Sequence, residues 1–463
     1  MLTMKFGGTS VGDVPRLLEV VSIVKQFINE QPIVVASAMS GVTNILIETA
    51  QRAVERKTGE VHNAVTALRD KHLNIAHTLV QDYTRRALLI KEQQASIDEL
   101  AQLYYGIGLL KELSPRSLDA IASFGEILSC RQIAAILEES GIQAQFIDAR
   151  TIIQTDNNFG EAAVDFTESN QRIASTLTPL VQQGIAPVVT GFIASTEDGI
   201  TTTIGRGGSD YTGSIIGAAV NSKEIWIWTD VDGVLTADPR IVPSARVLQE
   251  ISYREAAEMS YFGAKVIHPK TMVPAIEKKI PIRIKNTFNP AYPGTLISAT
   301  SKTNGHSVKT VTSIDNLAII SIEGNGMIGV PGVSARIFSA LARAQVNVMM
   351  ISQASSEHNV CFIVPRKDCS KGVKSLREEF SVDIAKKIID DVTVKEPVSI
   401  VAVVGEGMIG TKGIAGKTFD AVAKADVNII AIAQGSSELN ISFVVEQNDA
   451  IKAVQSVHDA FHL

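Results

Sequence analysis

Short apolar runs rich in β-branched residues recur through the first 290 residues: PIVVAS at 32, AQFIDAR at 144, IAPVVTGFI at 185, EIWIWTDV at 224 and PIRIKNTF at 281. Between them the spacing of apolar positions changes. Val42, Ile45, Leu46, Thr49, Ala50, Ala53 and Val54 fall on one stripe, so residues 42–56 read as an amphipathic helix, and the stretch from about 60 to 112 has helical spacing too. This alternation predicts a mainly parallel sheet covered by helices. Near residue 290 the pattern breaks at NPAYPGTLISATSKTNG, whose turn formers should close a first domain spanning 1–298.

The remainder of the chain contains a duplication. The segment IISIEGNGMIGVPGVSARIF onward from 319 aligns without a gap on IVAVVGEGMIGTKGIAGKTF onward from 400, with nearly half the positions identical. Each copy reads strand, glycine loop, helix, strand, turn, strand, the order of a ferredoxin-like βαββαβ module, with expected boundaries of 315–390 and 391–463. Two copies are too few for a solenoid, so a paired ligand-sensing domain is the expectation.

Composition narrows the class. At 463 residues, 45% hydrophobic and 20% charged, the chain has the make-up of a multidomain globular enzyme. Mean hydropathy is +0.16, and no uninterrupted apolar stretch of membrane-spanning length stands out. The opening MLTMKFGGTSV has no export-signal pattern, and Cys130, Cys361 and Cys369 lack metal-ligand or CxxC spacing, so a reducing, cytoplasmic location is expected. A net charge of −6 without any basic stripe speaks against nucleic acid as a partner, and no membrane partner is expected.

Three segments carry candidate chemistry. In GRGGSDYTG, residues 205–213, glycines let backbone N–H groups approach an anion, and Ser209 is the expected cap of a helix whose N-terminus adds partial positive charge beside Arg206 and Asp210. In Lys5-Phe6-Gly7-Gly8, a strand-end lysine followed by two glycines can reach a transferring phosphoryl group, although such a lysine taken alone is an exposed side chain. No GxxxxGK[ST] loop occurs. The third segment, TDVDGVLTADPR at 229–240, is ambiguous: DVDGVL resembles the nucleophile motif of haloacid-dehalogenase-type phosphatases, with Asp230 and Asp232 in the two acid roles. The same loop also suits a nucleotide contact through Asp230, Asp238 and Arg240. Further candidates are Ser37 and Thr43 in SAMSGVTN, Glu126 in SFGEILS and Lys265 in YFGAKVIHP; no histidine has metal-ligand spacing and no metal site is assigned.

Taken in order, KFGGTSV, SAMSGVTN, SFGE, TGFI, GRGGSDYTG, WTDVDGV with TADPR, FGAKVIHP and the duplicated tail resemble aspartate kinases, members of the amino-acid kinase family, over essentially the whole chain. The resemblance implies an open αβα sandwich followed by two ACT domains, small modules that bind amino acids. It also implies phosphorylation of the β-carboxylate of L-aspartate by ATP with Mg²⁺, at the head of lysine, threonine and methionine biosynthesis. Carried onto matching positions, Lys5, Gly7 and Gly8 belong to the phosphate-transfer site and Asp210 organises it. Arg206 holds the α-carboxylate of aspartate, Glu126 its ammonium group, and Ser37, Thr43 and Ser209 line the pocket. Thr229, Asp230, Asp238, Arg240 and Lys265 fall on the nucleotide side. Two positions depart from the family pattern: Asp232 stands where proline or a small residue is commoner, and Leu235 where many relatives carry tyrosine.

In the tail, Gln353 and Asn347 of the first copy and Gln434 and Asn428 of the second are candidate contacts for a regulatory amino acid, threonine rather than lysine, held where edge strands of two modules join. Homodimers or homotetramers formed through the ACT domains are expected. The chain ends soon after the second copy, so no fused homoserine dehydrogenase is expected. Two competing functions are a dehalogenase-type phosphatase, which would also need Lys265 and Asp390-Asp391, and an inactive sensor, against which Lys5, Arg206 and Asp210 speak.

Overall fold

The first strand is buried on both faces, and the alternation of its side chains between them sets the layers of the first unit. Through residue 298 the chain contains, in order, β1 (Leu2–Phe6), α1 (Val14–Gln26), β2 (Pro32–Ala36), α2 (Val42–Val54), α3 (Thr58–Leu79), α4 (Tyr83–Leu110), α5 (Pro115–Glu139), β3 (Ala144–Ile147), α6 (Phe166–Gln182), β4 (Ala186–Thr190), β5 (Ile193–Ser195), β6 (Thr201–Thr203), α7 (Gly208–Ala219), β7 (Ile225–Thr229), β8 (Glu250–Ser252), α8 (Tyr253–Tyr261), α9 (Pro269–Lys278), β9 (Ile282–Asn286) and β10 (Thr295–Ser298). The computed structural model describes residues 1–263, 267–300 and 307–463. It divides into one unit of Met1–Val234, Gln249–Tyr253 and Val266–Ser301 and a second of Leu235–Leu248, Arg254–Lys265 and Lys302–Leu463.

The first unit is built on an eight-stranded sheet of order β3-β4-β2-β1-β7-β9-β10-β8, as the alternation of patterns predicts. All neighbours run parallel except β9 and β10. Leu2, Met4 and Phe6 join Val34 and Ala36 in a core shared with helices α1 to α5. Ile33 and Val35 face the other way, onto Ile173, Leu177 and Ile215 of α6 and α7. Thr3 and Lys5 share that second face, and α7 approaches it closely because Gly213 and Gly217 stand one turn apart. A Cβ on Gly213 would lie 3.2 Å from Cβ of Lys5, and one on Gly217 would lie 2.5 Å from Ile225. The helical spacing over about 60–112 corresponds to two helices, α3 and α4, separated at Val80 to Asp82.

Helix α5 has a window long and apolar enough to cross a membrane, an exception to the compositional expectation; 89% of that window is buried inside the protein, as in a core helix. It is anchored to α3 by a reciprocal pair: Nδ1 of His72 lies 2.9 Å from Oε1 of Gln132, whose Nε2 donates to the His72 carbonyl at 2.8 Å. Burial pushes His72 down to about 4.

The second unit holds β11 (Thr310–Glu323), α10 (Val333–Arg343), β12 (Met350–Gln353), β13 (Asn359–Pro365), α11 (Arg366–Glu379), α12 (Ser381–Ala385), β14 (Asp391–Val404), α13 (Ile414–Lys424), β15 (Ala431–Ala433), β16 (Asn440–Glu446) and α14 (Ala450–Phe461). Its six strands form one antiparallel sheet of order β12-β13-β11-β14-β16-β15. The copies therefore join through the two long central strands, while β12 and β15 remain at the edges. Their cores also interleave across the expected boundary of 390 and 391. Val308 and Val311 pack with Val401, Val403 and Phe443 of the second copy, whereas Val392 packs with Ile320 and Phe362 of the first. Ala237 of the TADPR segment and Val242 just after it lie in the second copy's core, and Thr236 Oγ1 is 3.0 Å from Nε2 of His458.

Because His72 is neutral when folded and takes up a proton only near 4, the unfolded chain binds more protons between that value and its ordinary 6.5. Stability from this group is present above pH 6.5 and is lost as pH falls towards 4, by about 3 kcal/mol in all. Urea unfolding across that window should show a shallower pH slope for His72→Gln than for the unsubstituted chain.

Candidate active site

The loops after β1, β2 and β4 and the N-terminus of α7 surround a cavity of about 550 Å³ in the first unit. Gly8 forms part of its wall because nothing larger fits: a Cβ there would lie 2.8 Å from the Ala38 carbonyl, and Ser40 N–H donates to Gly8 O at 3.0 Å. Gly7 N–H in turn donates to Trp228 O at 3.1 Å, which ties the KFGG turn to β7. Helix α7 starts after Gly207, whose φ of 70° is in the left-handed region. Ser209 is not the cap. It lies inside the first turn, where its hydroxyl accepts a 2.8 Å hydrogen bond from Ser37 Oγ.

Asp210, also in that first turn, forms an ion pair with Lys5. A carboxylate at this end of a helix is favoured by the helix dipole. The pair flanks the cavity beside Gly8 and Ser209, with Lys5 only 6% exposed. On the cavity wall itself are Arg206, which is exposed, and Glu126, which is 3% exposed. Oε1 of Glu126 accepts from Ala38 N–H at 3.1 Å, but Oε2 has no partner. Burial pushes this carboxyl up to about 8, against the opposing pull of the Ala38 N–H and the Lys5 ammonium. Thr43 lines the same wall, as Ser37 and Ser209 do.

Wall residues that sequence reasoning missed include Asn44, Gly160 and Phe192. Phe192 is held at φ 67°, an uncommon conformation for an aromatic residue. Its N–H donates to Thr212 Oγ1 at 2.9 Å and its carbonyl accepts from Ile204 N–H at 3.1 Å. Its ring lies where a Cβ on Gly208 would come within 2.5 Å, which accounts for the last glycine of the GRGG run. The signal for Phe192 was present in the TGFI motif, but nothing in its spacing marks the side chain as a wall.

Thr229 and Asp230 stand at the end of β7, with Thr229 Oγ1 donating to Asp230 Oδ1 at 3.2 Å. Oδ1 of Asp232 accepts from Nδ2 of Asn286 at 2.9 Å and of Asn289 at 3.0 Å, so this residue ties its loop to the end of β9. Asp238 and Arg240 fall in the second unit and pair with each other at 2.5 Å; Lys265 lies outside the described residues. In the second unit, Gln353 lines a cavity of about 460 Å³ beside Gly329 N–H, which donates to a Glu357 carboxylate oxygen at 3.0 Å. Gln434, Asn347 and Asn428 are exposed. Among the described residues no three His, Cys, Asp or Glu side chains converge in a metal-binding group.

The amino acid kinase family model matches residues 1–286, and an ACT-domain model matches 320–380 and 401–461. The aspartokinase of Schizosaccharomyces pombe is 33% identical over 99% of this chain and 92% of its own. The chain belongs to the amino acid kinase family, among the aspartokinases. E. coli aspartokinase III, solved with aspartate and ADP, matches over the whole of both chains at 30% identity with a TM-score of 0.83, and its complex with lysine and aspartate gives 0.80. The chloroplastic bifunctional aspartokinase/homoserine dehydrogenase 1 of Arabidopsis thaliana is 40% identical over 99% of this chain but only 51% of its own. The chain thus spans about half the length of its bifunctional relatives. Aspartokinase membership removes the dehalogenase-type phosphatase reading of Asp230 and Asp232.

Proposed function

We propose that the chain transfers the γ-phosphoryl group of MgATP to the β-carboxylate of L-aspartate, giving 4-phospho-L-aspartate and ADP. The observation that carries this reading is one cavity wall bearing an exposed guanidinium, Arg206, and a buried carboxyl with a free oxygen, Glu126, beside the Lys5–Asp210 pair. An amino acid has a carboxylate for the first and an ammonium for the second.

The attacking carboxylate is already ionised near neutral pH, so no strong base is required. One of its oxygens bonds to the γ-phosphorus as the bond to the β–γ bridging oxygen breaks, and ADP leaves with that electron pair. The difficulty is the approach of two anions while charge spreads over the phosphoryl group. Lys5 and the Gly8 amide meet that charge, and Asp210 orients the Lys5 ammonium. Arg206 grips the α-carboxylate through paired N–H groups. Thr43, Ser37 and Ser209 shape the pocket around the substrate. Mg²⁺ enters with ATP and neutralises part of its phosphate charge. Thr229 and Asp230, at the end of β7, stand on the nucleotide side in this reading.

The cavity around Gln353 takes a regulatory amino acid, and threonine is our choice over lysine because SQAS and AQGS resemble the threonine-responsive branch. Three free cysteines accord with a reducing compartment, and we assign the cytoplasm. The Arabidopsis relative is chloroplastic.

Hydroxylamine trapping of the acyl phosphate tests the reaction itself, and absence of hydroxamate with aspartate, ATP and Mg²⁺ would overturn it. In that assay Lys5→Ala should lower kcat by roughly two to four powers of ten, whereas Arg206→Ala should act chiefly on KM for aspartate. Receiving an ammonium requires Glu126 to ionise, so substrate binding should release a proton below its value of about 8. KM for aspartate should therefore fall about tenfold per pH unit from 6.5 towards 8 and then level off; Glu126→Gln should bind weakly at every pH. Inhibition curves with threonine and with lysine decide the effector, and a lysine-only response would reverse our choice.

A further inference from the structure

A buried carboxylate that the reaction scheme leaves unused stands two helical turns before Glu126 on the same face of α5. Asp119 is 4% exposed, and no cation pairs with it among the described residues. It takes three neutral donors instead. Its Oδ2 accepts from Gly160 N–H and Thr203 N–H, each at 2.9 Å, and its Oδ1 accepts from Thr203 Oγ1 at 2.7 Å. Thr203 O closes the arrangement by accepting from Ala162 N–H at 3.0 Å.

Both segments that it gathers lead to the cavity. Gly160 is a wall residue, and Thr203 ends β6 just before Gly205 and Arg206, which are also wall residues. The two loops lie against each other, since a Cβ on Gly205 would come 3.5 Å from Gly160 O. Gly205 and Gly207 have φ of 84° and 70°, so the backbone that presents Arg206 is unsupported by regular structure on its N-terminal side except through β6.

We infer that Asp119 is a positioning residue which sets the distance between Arg206 and Glu126, and so fixes the spacing of carboxylate and ammonium that the pocket accepts. The inference rests on the proposed assignment of those two residues to aspartate. One rigid helix carries Glu126 directly and holds the Arg206 loop through the Asp119 carboxylate, so both ends of the substrate are referred to a single frame. Neutral donors suit this role: they fix geometry without adding a charge to compete with Arg206 or Glu126.

The test compares Asp119→Ala, Asp119→Asn and Thr203→Val with the unsubstituted enzyme by steady-state kinetics. Loss of the carboxylate leaves two buried N–H groups unpaired, and KM for aspartate should rise about tenfold to a hundredfold in Asp119→Ala. KM for ATP and kcat at saturating aspartate should change by less than about threefold. Asp119→Asn keeps an acceptor for the two N–H groups and should recover most of the loss, while Thr203→Val, which removes only the hydroxyl donor, should fall between. Equal changes in all three kinetic constants, or an unchanged KM for aspartate in the folded alanine or valine variant, would overturn the inference. If the unsubstituted chain makes no hydroxamate, the proposed reaction fails instead, which separates the two outcomes.

Discussion

Parallel hydrogen bonding on both sides of β1 is the constraint that creates the site. Lys5 sits in register with Val35 on β2 and Ile227 on β7, so the three strands end within a residue or two of one another. Parallel strands release their connecting loops at the same edge, and here those loops are KFGG, SAMSG and WTDVD. Helix α7 can then press on β1 only because Gly213 and Gly217 give it a flat face. That close approach puts Asp210 against Lys5, an ion pair between residues far apart in the chain.

The site avoids unpaired buried charge by three different means. Lys5 is neutralised by Asp210, Glu126 is held in its protonated form by burial, and Arg206 is left exposed to water. Under the proposed assignment, a zwitterion with a further carboxylate would supply what Arg206 and Glu126 lack, whereas an uncharged ligand of similar size would leave a free carboxyl oxygen buried without a partner.

Strands that lie in the middle of the sheet were legible because burial on both faces makes them continuous apolar runs, as in PIVVA and IWIWT. The glycine motifs were legible for a different reason: bare backbone is needed where Gly8 meets Ala38 O and where Gly208 meets Phe192. The β5–β6 hairpin was hidden because its strands, IAS and TTT, are too short to establish a period. Ser209 was misplaced by one turn boundary, since a left-handed glycine can begin a helix without a side-chain cap. Asp119 lay unnoticed in SPRSLDAIASFGE because its partners are backbone groups from distant segments, which no local pattern announces.

The duplicated region is less divisible than its sequence pattern implies, for a topological reason. Similarity between the copies begins at Ile319 and Ile400, partway along β11 and β14, which are each 14 residues long and run on into the neighbouring module. Each copy thus borrows a strand from a segment that the alignment credits elsewhere. Such interlacing means that neither half is a removable part: a cut at the apparent junction strips a strand from both, and an extra copy appended at the end would arrive one strand short. The ancestral doubling is consequently locked in as a pair, free to diverge in what each copy holds but no longer free to come apart.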